Sequence, residues 1–480
     1  MERFDTVIRG GTVYDGSGAA PFRADLGLTS SRIASVGDLS QAKGEEEIDA
    51  TGRAVSPGFI DVHTHDDRML LSGPEMAAKV SQGVTTVVCG NCGISLAPLV
   101  ASDRPPPPLD LLGDASWYRF PTFASYLETL DRQPAAANAV FLVGHQTLRV
   151  GAMDRLDRPA TAPEIAAMRV EVEKAMQAGA VGFSTGLFYP PARHAPTEEV
   201  VELTRAVAPY GGLYTTHLRD EGPRIEESVA EALEIGRRAG VGIVLSHHKA
   251  SGRKNHGKVA GTLAMVAEAA KTQPVALDVY PYTASSTMLL ADRLDEATKI
   301  LITWSEPMPE ATGRDLAELA AEHGVTLLEM VERLKPAGAI YFAMAEADVQ
   351  RVLSYPGAMI GSDGIPHDQK PHPRLWGTFP RVVGHYARDL GLMPMAEAVR
   401  RMTGLSAATF GLKDRGLIRE GYAADLVIFD PATIKDSADF DCSTRPAAGI
   451  DRVMVAGQAV WRDGKATGAK PGRALRRAPI

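Results

Sequence analysis

Apolar and polar positions alternate in short runs at both ends of the chain. Thr6-Val7-Ile8-Arg9, Gly10-Gly11 and Thr12-Val13-Tyr14 before Asp15-Gly16 predict strand, turn and strand. Ala424-Asp425-Leu426-Val427-Ile428-Phe429, then Val453-Met454-Val455 before Ala456-Gly457, then Ala459-Val460-Trp461 have the same texture. The economical arrangement is one small β-sandwich domain built from residues 1–55 and 415–480. A larger domain, residues 56–414, is inserted between its halves.

The middle of the chain alternates strand and helix. Val84-Thr85-Thr86-Val87-Val88 is a β-branched strand. Thr161-Ala162-Pro163-Glu164 reads as a capping box opening a helix that stops near Gly179. Val181-Gly182-Phe183 is the next strand, Thr197-Glu198-Glu199 caps the next helix, and Leu213-Tyr214-Thr215-Thr216 is strand again. A helix through Glu226 to Gly240 leads to the strand Ile243-Val244-Leu245. Repeated units of about 30 residues imply a parallel sheet, and their number suits an α/β fold closed as a (β/α)8 TIM barrel. A doubly wound open sheet is the alternative. Arg104-Pro105-Pro106-Pro107-Pro108 must be loop. Residues from about 290 to 344 look helical and charged, an insertion over one end of the barrel.

The length of 480 residues suits a large barrel with a satellite. Hydrophobic content of 45% and charged content of 23% are those of a globular chain. A net charge of −8 argues against nucleic-acid binding. No stretch approaches the roughly 20 apolar residues of a membrane span, and Met1-Glu2-Arg3-Phe4-Asp5 is unlike a signal peptide. With only Cys89, Cys92 and Cys442, no disulfide framework is expected. A cytoplasmic protein without membrane or nucleic-acid partners is expected; its oligomeric state is open.

Barrel enzymes carry reactive groups at the carboxyl ends of their strands. Those positions hold His63 and His65, on one face of an extended run, then Cys92, His217, His247 and Asp363. Imidazole, thiolate and carboxylate together suit zinc. Of the adjacent His247 and His248, alternation lets one face inward, and His247 fits. Cys89 lies within its strand and is expected to pack. Gly182-Phe183-Ser184-Thr185-Gly186 matches a nucleophile elbow, yet Pro190 and Pro191 follow where a helix is required, so Ser184 is not expected to be catalytic. His145, His194, His256, His323, His367, His372 and His385 are expected at the surface or beside the ligands.

Phe59-Ile60-Asp61-Val62-His63-Thr64-His65 resembles the signature of the amidohydrolase superfamily, and Gly421-Tyr422-Ala423-Ala424-Asp425-Leu426-Val427 its C-terminal hallmark. More narrowly, His63-Thr64-His65-Asp66-Asp67, Gly90-Asn91-Cys92-Gly93, Ser246-His247-His248-Lys249, Gly361-Ser362-Asp363-Gly364 and Pro371-His372-Pro373-Arg374-Leu375-Trp376-Gly377 resemble the N-acyl-D-amino-acid deacylases. The likeness spans nearly the whole chain, with Cys92 its most specific mark. It implies that Cys92, His217 and His247 hold a tight zinc. His63, His65 and Cys92, with Asp363, would form a weaker second site.

The implied reaction is hydrolysis of an N-acyl-D-amino acid, with Asp363 moving a proton from the attacking water to the departing amine. Arg374 is the candidate clamp for the substrate's α-carboxylate, with Tyr282 and Ser286 as neutral donors and Lys249 nearby. Arg293 would meet a side-chain carboxylate and favour N-acyl-D-glutamate. The rival expectations are cyclic-amide hydrolysis or deamination and, further off, a scaffold without catalysis.

Overall fold

The computed structural model describes residues 2–477. Eight parallel strands pair in chain order: β1 (Phe59–Asp61), β2 (Val84–Cys89), β3 (Asn138–Gly144), β4 (Gly182–Gly186), β5 (Leu213–His217), β6 (Gly242–Leu245), β7 (Val275–Val279) and β8 (Ala358–Ile360). A bridge between Thr64 and Gly364 returns β8 to β1, and the Asp363 amide donates to the His63 carbonyl at 2.8 Å. This closed sequential order is that of a (β/α)8 barrel and excludes the doubly wound sheet. Its strands are almost wholly buried because side chains fill the interior and helices cover the outside. Ile60, Val62, Val88, Val140, Leu142, Val181, Val244 and Met359 share one inner core.

The helices follow local chemistry. Thr161 and Glu164 form a reciprocal capping box at the start of Ala162–Ala178, and Gly179 ends that helix in the left-handed region. Its buried Met168, Val172, Ala175 and Met176 recur at helical spacing. The helix beginning at Thr197 is capped by Pro196 rather than Thr197.

A second sheet has nine strands, five from residues 3–57 and four from residues 426–466. Ala54–Pro57 is the seam, parallel to Arg3–Val13 and antiparallel to Leu426–Phe429. Ile8, Val13, Leu26, Ile48, Val55, Leu426 and Met454 form its core. The strand-turn-strand expected at residues 6–14 is instead a single strand, Arg3–Val13, with a register shift between Ile8 and Gly11. Gly10 takes φ +66° there and its amide donates to Asp25, which absorbs the extra residue as a bulge.

The segment expected to be helical from about 290 to 344 is mixed. Strands Ala284–Met288, Ile300–Ser305 and Ala337–Phe342 form an antiparallel sheet, and helices Leu316–Glu322 and Leu327–Leu334 pack with it. The branched and aromatic residues of Ile300-Leu301-Ile302-Thr303-Trp304 favour a strand, and its surrounding charges conceal this. Among the described residues no helix is long and apolar enough to cross a membrane.

Candidate metal centre

The barrel's carboxyl end gathers a compact group of ligand atoms. Cys92 Sγ lies 3.2 Å from His63 Nε2, 3.5 Å from His247 Nε2 and 3.9 Å from His217 Nδ1. Asp363 Oδ1 lies 3.2 Å from His65 Nε2 and 3.5 Å from His63 Nε2. All of these side chains are buried. They come from β1, β2, β5, β6 and β8, so barrel closure alone brings them together.

Three of them occupy unusual backbone. Cys92, His247 and Asp363 have φ of +54°, +33° and +50°. A side chain in the left-handed region costs about 1–3 kcal/mol, so the surroundings must hold these turns. Around Cys92 they do so closely. Gln146 donates to the Cys92 carbonyl at 2.7 Å, and the Gly93 amide donates to Ser184 Oγ at 3.0 Å. The serine of the apparent nucleophile elbow thus staples the cysteine turn. Gly90, at φ +78°, and Gly186 admit that turn because a Cβ would lie 2.1 Å from the Leu142 carbonyl oxygen and 2.3 Å from that of Cys92, respectively.

The electrostatics suit a cation. Burial alone pushes the Cys92 thiol up, but His63 and His247, with hydrogen bonds from His217 and His247, hold it well below its usual range. Burial likewise raises Asp363, and Arg374, His247, His65 and His63 outweigh it, keeping the carboxylate ionised. In return His65 is pushed up to about 9: burial opposes this, and Asp363 and Cys92 more than compensate. A thiolate and a carboxylate among four imidazoles are nitrogen, sulfur and oxygen donors of the kind zinc takes, and the residues present fit that metal.

Several partners were not singled out from the sequence. Asp278 Oδ2 lies 3.3 Å from His63 Nδ1, while its Oδ1 accepts from the His247 amide at 2.9 Å. Glu221 Oε1 is 3.0 Å from His247 Nδ1 and 2.7 Å from Lys249 Nζ, and its Oε2 is 3.8 Å from His217 Nε2. His63, His217 and His247 therefore each turn one nitrogen to the cluster and the other towards a carboxylate. Lys79, fully buried, donates to Asp61 and to Ser362 Oγ, both at 2.8 Å, with Asp66 at 3.3 Å. Asp61 in turn accepts from the Ser362 amide at 2.8 Å, tying the end of β1 to the turn that carries Asp363. A carboxylate inside the apolar strand β7 and an acid four residues after His217 were the available signals.

The remaining candidates spread around this cluster. Arg374 Nη1 lies 2.9 Å from Asp363 Oδ2 as an ionic contact without hydrogen-bond alignment. Its Nη2 donates to the Ser286 carbonyl at 3.1 Å, and its Nε has no partner. The Ser286 and Tyr282 hydroxyls are buried and unpartnered. Tyr282 packs against His372 and Arg381, whereas Tyr280 lies under Arg374, 4.6 Å away, and near Lys249. Arg293 donates to Glu296 at 3.1 Å and to Ser251 Oγ at 3.0 Å, over the Tyr341 ring.

His248 turns away from the cluster to Thr262. Cys89 is core. His194, His256 and His323 are exposed, but two histidines expected at the surface or beside ligands are neither. His145 is buried against Glu199, and His372 is buried between the Ala284 carbonyl and the Arg374 amide. His145 opens the helix that follows β3 and His372 lies in the segment after β8, and each bonds polar groups buried there.

Residues 46–461 match the model of the amidohydrolase family. The chain is 55% identical over 474 residues to the D-aminoacylase of Alcaligenes xylosoxydans xylosoxydans, covering 99% of this chain and 98% of that one. It is 51% identical over 473 residues to the N-acyl-D-aspartate deacylase of the same organism, covering 98% and 95%. The solved structure of the N-acyl-D-glutamate deacylase of Bordetella bronchiseptica, complexed with zinc and a phosphonate mimic of the tetrahedral intermediate, is 45% identical with a TM-score of 0.96, covering 99% of this chain and 100% of that one.

Proposed function

The chain belongs to the amidohydrolase family, and on that premise we propose that it hydrolyses N-acyl-D-amino acids to a carboxylate and a free D-amino acid. The observation that carries this reading is the position of Asp363. One of its oxygens faces the metal cluster, 3.2 Å from His65, and the other faces Arg374 at 2.9 Å. A proton-transferring carboxylate thereby joins a metal centre to a guanidinium suited to a substrate's α-carboxylate.

In our reading Cys92, His217 and His247 hold a tightly bound zinc, and His63, His65, Cys92 and Asp363 form a weaker second site. Zinc supplies a Lewis acid that polarises the acyl carbonyl and lowers the pKa of water towards about 7. Asp363, kept ionised by its neighbours, takes the proton of the attacking water and returns it to the departing amine. Arg374, Ser286 and Tyr282 bring unpartnered donors to the α-carboxylate. Lys249, held by Glu221, adds positive charge beside His247. Arg293 is the cation for a side-chain carboxylate, with Glu296 as the partner that such a substrate displaces. Within the class this favours N-acyl-D-glutamate.

The test is amine release by the zinc-loaded protein from N-acetyl-D-glutamate, N-acetyl-D-methionine and their L-enantiomers. Release from the D-substrates, fastest with D-glutamate, is expected. Faster release from D-methionine would keep the reaction and remove the role of Arg293. No release from any of them would reject the deacylase.

A further inference from the structure

An open cavity of about 570 Å3 lies between the barrel loops and the inserted sheet. Pro107, Leu156 and Pro190 come from the loops after β2, β3 and β4, and Met288, Leu290 and Trp304 from the insertion. Of the charged groups bordering it, Arg193 is 45% and Asp157 63% exposed, whereas Asp110 is buried and paired with Arg104. This volume is in the range of small-molecule sites, which are mostly apolar.

Tyr189 and Thr287 each adjoin, along the chain, a residue that lines the cavity, and Tyr189 packs beside the metal cluster. The ring of Tyr189 lies 4.9 Å from that of His217, and the next residue, Pro190, lines the cavity. From the insertion, Thr287 meets Tyr189 by a hydroxyl–hydroxyl hydrogen bond of 3.2 Å, and the next residue, Met288, lines the cavity. Tyr189 and Thr287 are both buried and form the partition.

We infer that this cavity takes the aliphatic tail of the acyl group, so that the substrate class includes N-acyl-D-amino acids with medium-length acyl chains. This rests on the deacylase reading and extends it. The groups assigned to the amino-acid half come from the segments after β7 and β8: Tyr282, Ser286 and Arg374. Those walling the cavity from the barrel follow β2, β3 and β4, across the sheet order. An amide lying over the cluster with its α-carboxylate towards Arg374 points its acyl carbon the opposite way, at the Tyr189–Thr287 partition. The chemistry is unchanged: the acyl C–N bond breaks, the water's oxygen joins the fatty carboxylate, and Asp363 passes the water's proton to the departing amine. Each methylene removed from water adds about fourfold in binding.

The test compares KM and kcat for N-acetyl-, N-butanoyl- and N-octanoyl-D-glutamate on the zinc-loaded protein, with the D-methionine series in parallel. KM is expected to fall at least threefold from acetyl to octanoyl, and octanoate to inhibit where acetate does not. Leu156→Arg, which puts a charge into the cavity, is expected to lower the octanoyl-to-acetyl ratio of kcat/KM at least tenfold. Thr287→Ala, which opens the partition, is expected to raise it. If KM falls by less than threefold or rises, the inference is overturned and the cavity is a seam beneath the insertion. Hydrolysis of the acetyl substrates would show that the deacylase reading survives that failure, and no hydrolysis at either length would remove both.

Discussion

Glu221→Gln keeps the side chain's shape and removes its charge, which isolates what the carboxylate does behind the two imidazoles. Glu221 is 3.0 Å from His247 Nδ1, while His247 Nε2 faces Cys92. A carboxylate only accepts, so it favours the tautomer with hydrogen on Nδ1 and a free lone pair on Nε2, against the pull of Lys249 Nζ, 2.9 Å from the same Nδ1. A glutamine can turn its amide nitrogen to the ring and favour the opposite tautomer. It also leaves Lys249 without its anion. At 3.8 Å the contact to His217 is too long for a hydrogen bond, so the ionic contact to His247 carries most of the effect. Losing carboxylate support behind a ligand usually weakens metal affinity roughly 10–100-fold, and the zinc Kd is expected to weaken by that factor. Competition against a chromophoric chelator at constant pH reads this directly, and circular dichroism checks the fold. A folded Glu221→Gln protein whose zinc Kd stays within threefold of the parent would refute the argument.

Asp363→Asn should retain the tightly bound zinc yet lose turnover at least a hundredfold; metal analysis beside an amine-release assay checks both, and near-parental kcat would remove the proton-transfer role. Lys79→Met strands Asp61 and Asp66 in the barrel mouth, and a loss of about 3–5 kcal/mol is expected; a chemical-denaturation midpoint close to the parent's would contradict it. Glu199 supplies a pH prediction. Burial raises its carboxyl, but His145 and Arg149 outweigh this and push it down to about 2. The pKa is lower folded than unfolded, so this stabilisation is full above about pH 4.5 and is lost as pH falls towards 2. Glu199→Gln should therefore be less stable than the parent by on the order of 2–3 kcal/mol at neutral pH, and the gap should close in acid; a gap independent of pH would refute the assignment.

The residues legible in the sequence were those whose meaning is local. His63 and His65 declare themselves by strand alternation, and Cys92, His217, His247 and Asp363 each follow an apolar run where a barrel strand ends. The capping box at Thr161 needed only four residues. Lys79, by contrast, sits in Met76-Ala77-Ala78-Lys79-Val80 and looks like the solvent face of a short helix. Its burial depends on Ser362, which meets it only when β8 closes on β1. Asp278 and Glu221 are likewise defined by a partner on another strand. The inserted sheet was obscured for another reason: its strands are short and separated by charged helices, so helical composition outweighed the alternation at Ile300–Ser305.

The seam strand Ala54–Pro57 has a consequence for the order of events on the ribosome. Its antiparallel partner, Leu426–Phe429, is made about 370 residues later. At ordinary rates of synthesis, that is a delay of roughly 20–70 s. Throughout that time the barrel between them can assemble while one edge of the seam strand offers unpaired amides and carbonyls to any passing strand. Nascent chains should thus be most prone to mispairing after the barrel is made but before residue 426 emerges, and a chaperone shielding that edge would act late in translation rather than early.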